Sequence, residues 1–170
     1  MSAPRRGDLV VGRWGARFRG RRFPCTLGRG GLGPKRGEGD GVTPAGVLRL
    51  ESVLWRPDRG APPRGPLPRR RIGPRDGWSD DPADPAYNRL VRWPARGSAE
   101  RLRRADPLYD LVAVTDFNRA PVRVAAGSAI FLHLRRGAHH PTAGCVGFRR
   151  ADLAWVLARW TPRSRVLIRG

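Results

Sequence analysis

Lysine is nearly absent from this 170-residue chain, with Lys35 its only representative, so arginine carries almost all of the positive charge. Acidic residues are also scarce, 14 against 34 Lys+Arg, which leaves a formal net charge of +20 and by composition alone favours an anionic partner. There are two cysteines, Cys25 and Cys145, too few for a disulfide framework and without the clustered Cys/His spacing of a structural zinc site. No metal site and no cofactor is expected. No apolar run approaches the ~18–20 residues that a membrane-spanning helix needs, because aspartates and arginines interrupt each one. Arg5 and Arg6 resemble the basic start of an export signal, but the apolar stretch that follows, Leu9-Val10-Val11, is far short of the ~7–15 residues required. No signal peptide is visible.

The length is that of one domain, spanning residues 1–170, and 39% hydrophobic residues are enough for a core. Gly 22 and Pro 17 stay below the ~25–30% that marks low complexity, yet they imply many turns. Short or alternating apolar runs bounded by Gly and Pro predict strands at Asp8–Val11, Arg21–Leu27, Val47–Trp55, Leu108–Thr115, Ala129–Leu134 and Arg165–Ile168. One segment, Arg150–Trp160, spaces Leu153, Ala154, Leu157 and Ala158 as a helix does, and Pro162 closes it. Gly28–Gly46 and Arg56–Pro74 read as long surface connections. The pattern predicts a mostly β sandwich or barrel with one short C-terminal helix.

The stretch richest in chemistry is Gly127-Ser-Ala-Ile-Phe-Leu-His133, followed after a polar loop by Pro141-Thr-Ala-Gly-Cys145-Val146. A thiol attacks a carbonyl as thiolate, so it needs a nearby base, and a glycine before it lets the backbone turn tightly towards a substrate. His133 and Cys145 are separated by a length that suits a loop joining two antiparallel strands, across which the imidazole takes the thiol proton and returns it to a leaving amine. The residues alone leave two readings open, a catalytic pair or an inert buried cysteine beside a strand-end histidine.

These segments resemble the signature of the L,D-transpeptidase catalytic domain, the YkuD family, and more specifically a compact proteobacterial-type branch. Other blocks share the likeness: Leu27-Gly-Arg-Gly-Gly31, Lys35 to Gly41, Thr43-Pro-Ala-Gly46, Gly77 to Pro82, Tyr87-Asn-Arg89 and Leu108 to Val112. The resemblance implies that Cys145 is the nucleophile and His133 its base and acid. The amides of Cys145 and Gly144 would stabilise the oxyanion, and Thr142 occupies the family's Ser/Thr position as a substrate-binding residue. It further implies a peptidoglycan tetrapeptide stem as substrate. Cys145 would attack the carbonyl of the third residue, expel D-alanine and hold a thioester until an amine, or water, takes the acyl group. The expected location is the cell envelope or periplasm. Where many members carry a polar residue and a second histidine, this chain has Leu134 and Ala143. The third triad element is therefore left to a main-chain carbonyl or to a residue elsewhere. Val146 to Arg150 also departs from the family pattern.

Blander readings fit the other candidates. His139 and His140 read as solvated loop residues, Cys25 as a small buried strand residue, and the glycine-rich segments Gly28–Gly33 and Gly37–Gly41 as turns without a phosphate-binding context. Asp80 and Asp81 are expected to shape a cleft rather than to act as an acid-base pair. The arginines between Arg64 and Arg75, with Trp78 nearby, suit a solvated loop better than a nucleic-acid groove. No nucleic-acid partner is expected. A basic nucleic-acid-binding module, or a non-catalytic peptidoglycan-binding protein on the same scaffold, is the competing functional class.

Overall fold

The structure is a computed structural model, and it describes residues 3–170. It is mostly β, with one helix, as the strand-and-turn pattern predicts. A central six-stranded sheet contains β4 (Cys25–Thr26), β8 (Leu50–Trp55), β9 (Arg69–Arg71), β13 (Leu111–Thr115), β14 (Phe131–Leu134) and β15 (Val146–Phe148), in the order β4-β15-β14-β13-β8-β9. A second, five-stranded sheet is formed by β1 (Leu9–Gly12), β2 (Gly15–Phe18), β3 (Arg21–Phe23), β7 (Gly46–Leu48) and β16 (Val166–Ile168), ordered β3-β2-β1-β16-β7. A third sheet has β10 (Asp76–Ser79) between β11 (Leu90–Arg92) and β12 (Ala99–Arg101). The short β5 (Leu32–Gly33) and β6 (Thr43–Pro44) pair with each other. The helix α1 covers Arg150–Ala158.

Side chains alternate across a strand, so the central sheet has two distinct faces. Leu132 and Leu134 of β14, with Val146 and Phe148 of β15, join Leu9, Phe18 and Ile168 of the five-stranded sheet and Leu153, Val156 and Leu157 of α1 in the larger apolar core. Phe131, Val112, Val114, Leu54 and Cys145 turn the other way, towards Trp78, Leu102 and Tyr109 at the third sheet. Aromatic contacts seal this smaller core: Phe131 meets Trp78 edge-on at 5.0 Å between centroids and Tyr109 at 6.1 Å. Burial on both faces explains why every residue of β13, β14 and β15 is buried.

Several expectations need correction. The run Arg21–Leu27 divides into β3 and β4 at Pro24, whose missing N–H cannot continue a ladder. Val47–Trp55 divides into β7 and β8 at Arg49, where the chain passes from one sheet to the other. Gly28–Gly46 and Arg56–Pro74 are not wholly irregular, since they contribute β5, β6 and β9. β9 is three arginines whose backbone pairs in parallel with the edge of β8 while their side chains stay exposed, so no apolar alternation marks it. The helix buries Asp152, Leu153, Val156 and Leu157, whereas Ala158 is exposed. The third sheet was not foreseen as strands at all.

Candidate active site

The pairing of β14 with β15 decides the site. The two strands run parallel, with His133 opposite Gly147 and Leu132 opposite Val146, in place of the antiparallel pair expected from the loop length. The connecting segment 135–145 therefore crosses back over the strand ends and delivers Cys145 one residue before β15 begins. Leu132 and Val146 point into the larger core, so their neighbours His133 and Cys145 both lie on the opposite face. His133 is 5% and Cys145 8% exposed, and both line one cleft of about 620 Å³.

The His133 ring is held in a defined tautomer. Its Nδ1 lies 2.7 Å from the carbonyl oxygen of Leu134, which only accepts, so Nδ1 carries the proton and Nε2 bears the free lone pair. The ring packs edge-on against Tyr109 at 5.2 Å between centroids. Leu134, a residue whose side chain offers no polar group, thus supplies the orienting acceptor through its main chain. Cys145 Sγ donates to the Ala129 carbonyl at 3.0 Å and accepts from the Phe131 N–H at 3.3 Å. Burial pushes the thiol up to about 12, with the Glu100 carboxylate adding to the shift, and burial holds the His133 imidazolium down to about 4. At neutral pH the pair is a neutral thiol and a neutral imidazole.

The turn before the cysteine is built from Thr142 and Gly144. Thr142 Oγ1 donates to the Cys145 carbonyl at 2.6 Å and accepts from the Gly144 N–H at 3.1 Å. Its hydroxyl is engaged within the turn although the residue lines the cleft. The Gly144 amide is likewise occupied, whereas the Cys145 N–H has no hydrogen-bond partner among the described residues. Gly144 adopts φ +144°, and a Cβ there would sit 2.9 Å from the Val42 carbonyl oxygen, so no side chain fits.

The sequence blocks upstream converge on the same turn. Thr142 N–H donates to Leu27 O at 2.8 Å, Arg29 N–H donates to Thr142 O at 2.9 Å, and the buried Thr43 hydroxyl accepts from Gly28 N–H at 2.8 Å. Lys35, with a side chain only 4% exposed, reaches Asp40 at 2.6 Å and lines the cleft beside Gly144. Its stem crosses the space that a side chain at Gly127 would fill, which accounts for glycine there at φ +101°. Glu38 accepts from the Tyr87 hydroxyl, and Asn88 Oδ1 accepts from Trp78 Nε1 at 3.0 Å and from Ala129 N–H at 3.1 Å.

The cleft also contains Asp80, Glu100, Arg104, Ser128 and His140, of which only Asp80 was foreseen in such a place. Asp81 and His139 are not part of the lining. Cys25 is half-buried on β4, and burial pushes its thiol up to about 12. Among the described residues no group of three His, Cys, Asp or Glu side chains is placed to hold a metal ion.

With this geometry established, comparison with known proteins identifies the class. The chain matches the YkuD L,D-transpeptidase catalytic domain over residues 12–168, and it belongs to that family. Membership carries the family's general activity, transferase chemistry of the L,D-transpeptidase type on the cell wall. No curated protein and no solved structure matches it. No helix of the described residues is long and apolar enough to cross a membrane.

Proposed function

We propose that the protein is a peptidoglycan L,D-transpeptidase of the cell envelope in which Cys145 is the nucleophile and His133 the general base and acid. The observation that carries this reading is the shared cleft face of Cys145 and His133, with the His133 Nδ1 proton held by the Leu134 carbonyl and Nε2 left as the acceptor. As Sγ attacks the carbonyl of the third stem residue, an S–C bond forms and the thiol proton passes from its resting contact with Ala129 to His133 Nε2. The carbonyl electrons move to oxygen, where the Cys145 N–H donates to the oxyanion. One such donor is worth ~10²–10³ in rate in other acyl-transfer enzymes. Collapse breaks the C–N bond, His133 protonates the departing D-alanine amine, and a thioester remains. An acceptor amine then attacks the thioester and gives its proton to His133, the C–S bond breaks and His133 passes that proton to the departing sulfur, restoring the neutral pair, while water in place of the amine gives a carboxypeptidase.

Because thiol and imidazole are both neutral at rest, the proton moves as the sulfur attacks rather than before it. Thr142 and Gly144 act through the turn: the Thr142 hydroxyl accepts from the Gly144 N–H and donates to the Cys145 carbonyl, and so holds the peptide that presents the Cys145 amide. The test is incubation with a disaccharide-tetrapeptide, followed by mass spectrometry for free D-alanine and for a thioester on the protein. Wild type should give both, and Cys145→Ala neither. Equal product profiles from the two would remove the enzymatic reading.

A further inference from the structure

In a chain with so large a surplus of arginine, carboxylates readily find a cation. Asp8 holds Arg165 at 2.7 Å, Asp58 holds Arg56 at 2.7 Å, Asp106 holds Arg104 at 2.8 Å and Asp110 holds Arg150 at 2.8 Å. Asp80 and Glu100 take part in no ion pair among the described residues, and both line the cleft that contains Cys145. They sit on adjacent strands of the third sheet: Asp80 directly follows β10 and its N–H donates to Ser98 O at 3.3 Å, while Glu100 is the middle residue of β12. Glu100 Oε1 accepts from the Tyr109 hydroxyl at 2.6 Å.

A second, independent observation concerns orphaned polar atoms. Asp80 Oδ1 is shut off from solvent and has no hydrogen-bond partner, and so is the hydroxyl of Ser128, a residue 5% exposed on the lining of the same cleft. Buried acceptors are rarely left unmatched, and a carboxylate oxygen can only accept, so the missing group at Asp80 is a donor. Burial raises the proton affinity of Glu100 and the charge of Asp80 adds to it, against the opposing Tyr109 hydroxyl and Arg104 guanidinium, and a further cation in the cleft relieves what remains at both carboxylates.

We propose that Asp80 and Glu100, with Ser128, form a subsite beside Cys145 that binds a primary alkylammonium group of the substrate. This rests on the transpeptidase reading and deepens it. Two stem amines have this chemistry, the side-chain amine of the donor's own third residue and the amine of the incoming acceptor. An ammonium bound here brings positive charge towards the nucleophile, against the Glu100 carboxylate that opposes thiolate formation.

The experiment compares tetrapeptide stems whose third-residue amine is free or N-acetylated, in wild type and in the Glu100→Gln and Asp80→Asn variants. The amide oxygen introduced by Glu100→Gln would still accept from Tyr109, so the variant removes charge and keeps the contact. Binding to Cys145→Ala, measured by calorimetry, reads recognition without turnover. If the donor amine is the ligand, the free-amine stem binds at least about tenfold more tightly than the acetylated one, and E100Q or D80N placed in the Cys145→Ala background abolishes the difference. If the acceptor amine is the ligand, donor binding is indifferent to acetylation, but the KM for an added acceptor amine rises about tenfold in both variants while D-alanine release to water does not fall. The inference is overturned if neither donor affinity nor acceptor KM responds to loss of the two carboxylates. Failure of wild type to release D-alanine or to form a thioester overturns the parent reading instead, and the binding comparison still decides the subsite.

Discussion

At the scale of single residues, the proposed chemistry depends on a threonine and a glycine that touch no reacting atom. Thr142→Val removes a hydroxyl that both donates to the Cys145 carbonyl and accepts from Gly144, leaving the Gly144 N–H unmatched, at ~1–3 kcal/mol, and the Cys145 carbonyl with only the longer contact from the Thr43 hydroxyl at 3.5 Å. The expected result is a fall in kcat with KM little changed, and rescue by Thr142→Ser, in steady-state D-alanine release. A rise in KM alone would instead mark Thr142 as a substrate contact. Gly144→Ala is expected to be worse, because φ +144° and the Val42 carbonyl both reject a Cβ. Urea denaturation should show a loss of ~1–3 kcal/mol, and unchanged stability and activity would refute this account of the turn. Cys145 and His133 were legible as chemistry because a Gly-Cys turn and a strand-end histidine are local signals. Leu134 was not, since its contribution is a carbonyl that every residue possesses.

At the scale of elements, the helix tests the packing account. Leu157 is 1% exposed in the larger core between α1 and the two main sheets. Leu157→Ala should destabilise the protein by ~2–5 kcal/mol, and Leu157→Met by less than ~1.5 kcal/mol, as read from denaturation midpoints. Equal effects of the two would mean that α1 does not close this core. The strands β1, β8, β13, β14 and β16 and the helix showed in the sequence because burial of one face, or of both, leaves a pattern of hydrophobic residues, whereas β2 and β15, each only three or four residues long and containing a glycine, fell outside the expected strands. β9, β11 and β12 did not, because three-residue segments, all arginine in β9 and mixed in β11 and β12, are recruited to sheets by backbone hydrogen bonds that carry no side-chain signature. The parallel register of β14 and β15 was invisible for a related reason: loop length permits either direction, and pairing with other strands chooses between them.

At the scale of the whole molecule, acid is the informative stress. Folding buries His133 in its neutral form, lowering its proton affinity from the ordinary 6.5 to about 4. The unfolded chain then binds more protons between these values, so the stability from this group is complete above pH 6.5 and is lost as pH falls towards 4, by up to ~1.4 kcal/mol per unit. Asp8 acts in the same direction lower down. The Arg165 guanidinium holds its carboxyl below the usual 3.8, so its contribution is present above 3.8 and is lost as pH falls further. Urea midpoints should therefore drop from about pH 7.5 to about pH 5, and the drop should be smaller in His133→Gln. A midpoint flat across that range would contradict the buried neutral imidazole.

The sequence by itself determined the fold class and the family resemblance and singled out the thiol and imidazole of the proposed site, because apolar periodicity and short glycine-flanked motifs are local properties of the chain. Tertiary structure decided what those groups can do. It placed His133 and Cys145 on one face through a parallel pairing, gave the imidazole a main-chain acceptor, and left two carboxylates of a distant sheet lining the same cleft as the sulfur outside any of the ion pairs of the described residues. Each of these is a contact between segments far apart along the chain, set by how sheets stack and not by the residues adjacent in sequence.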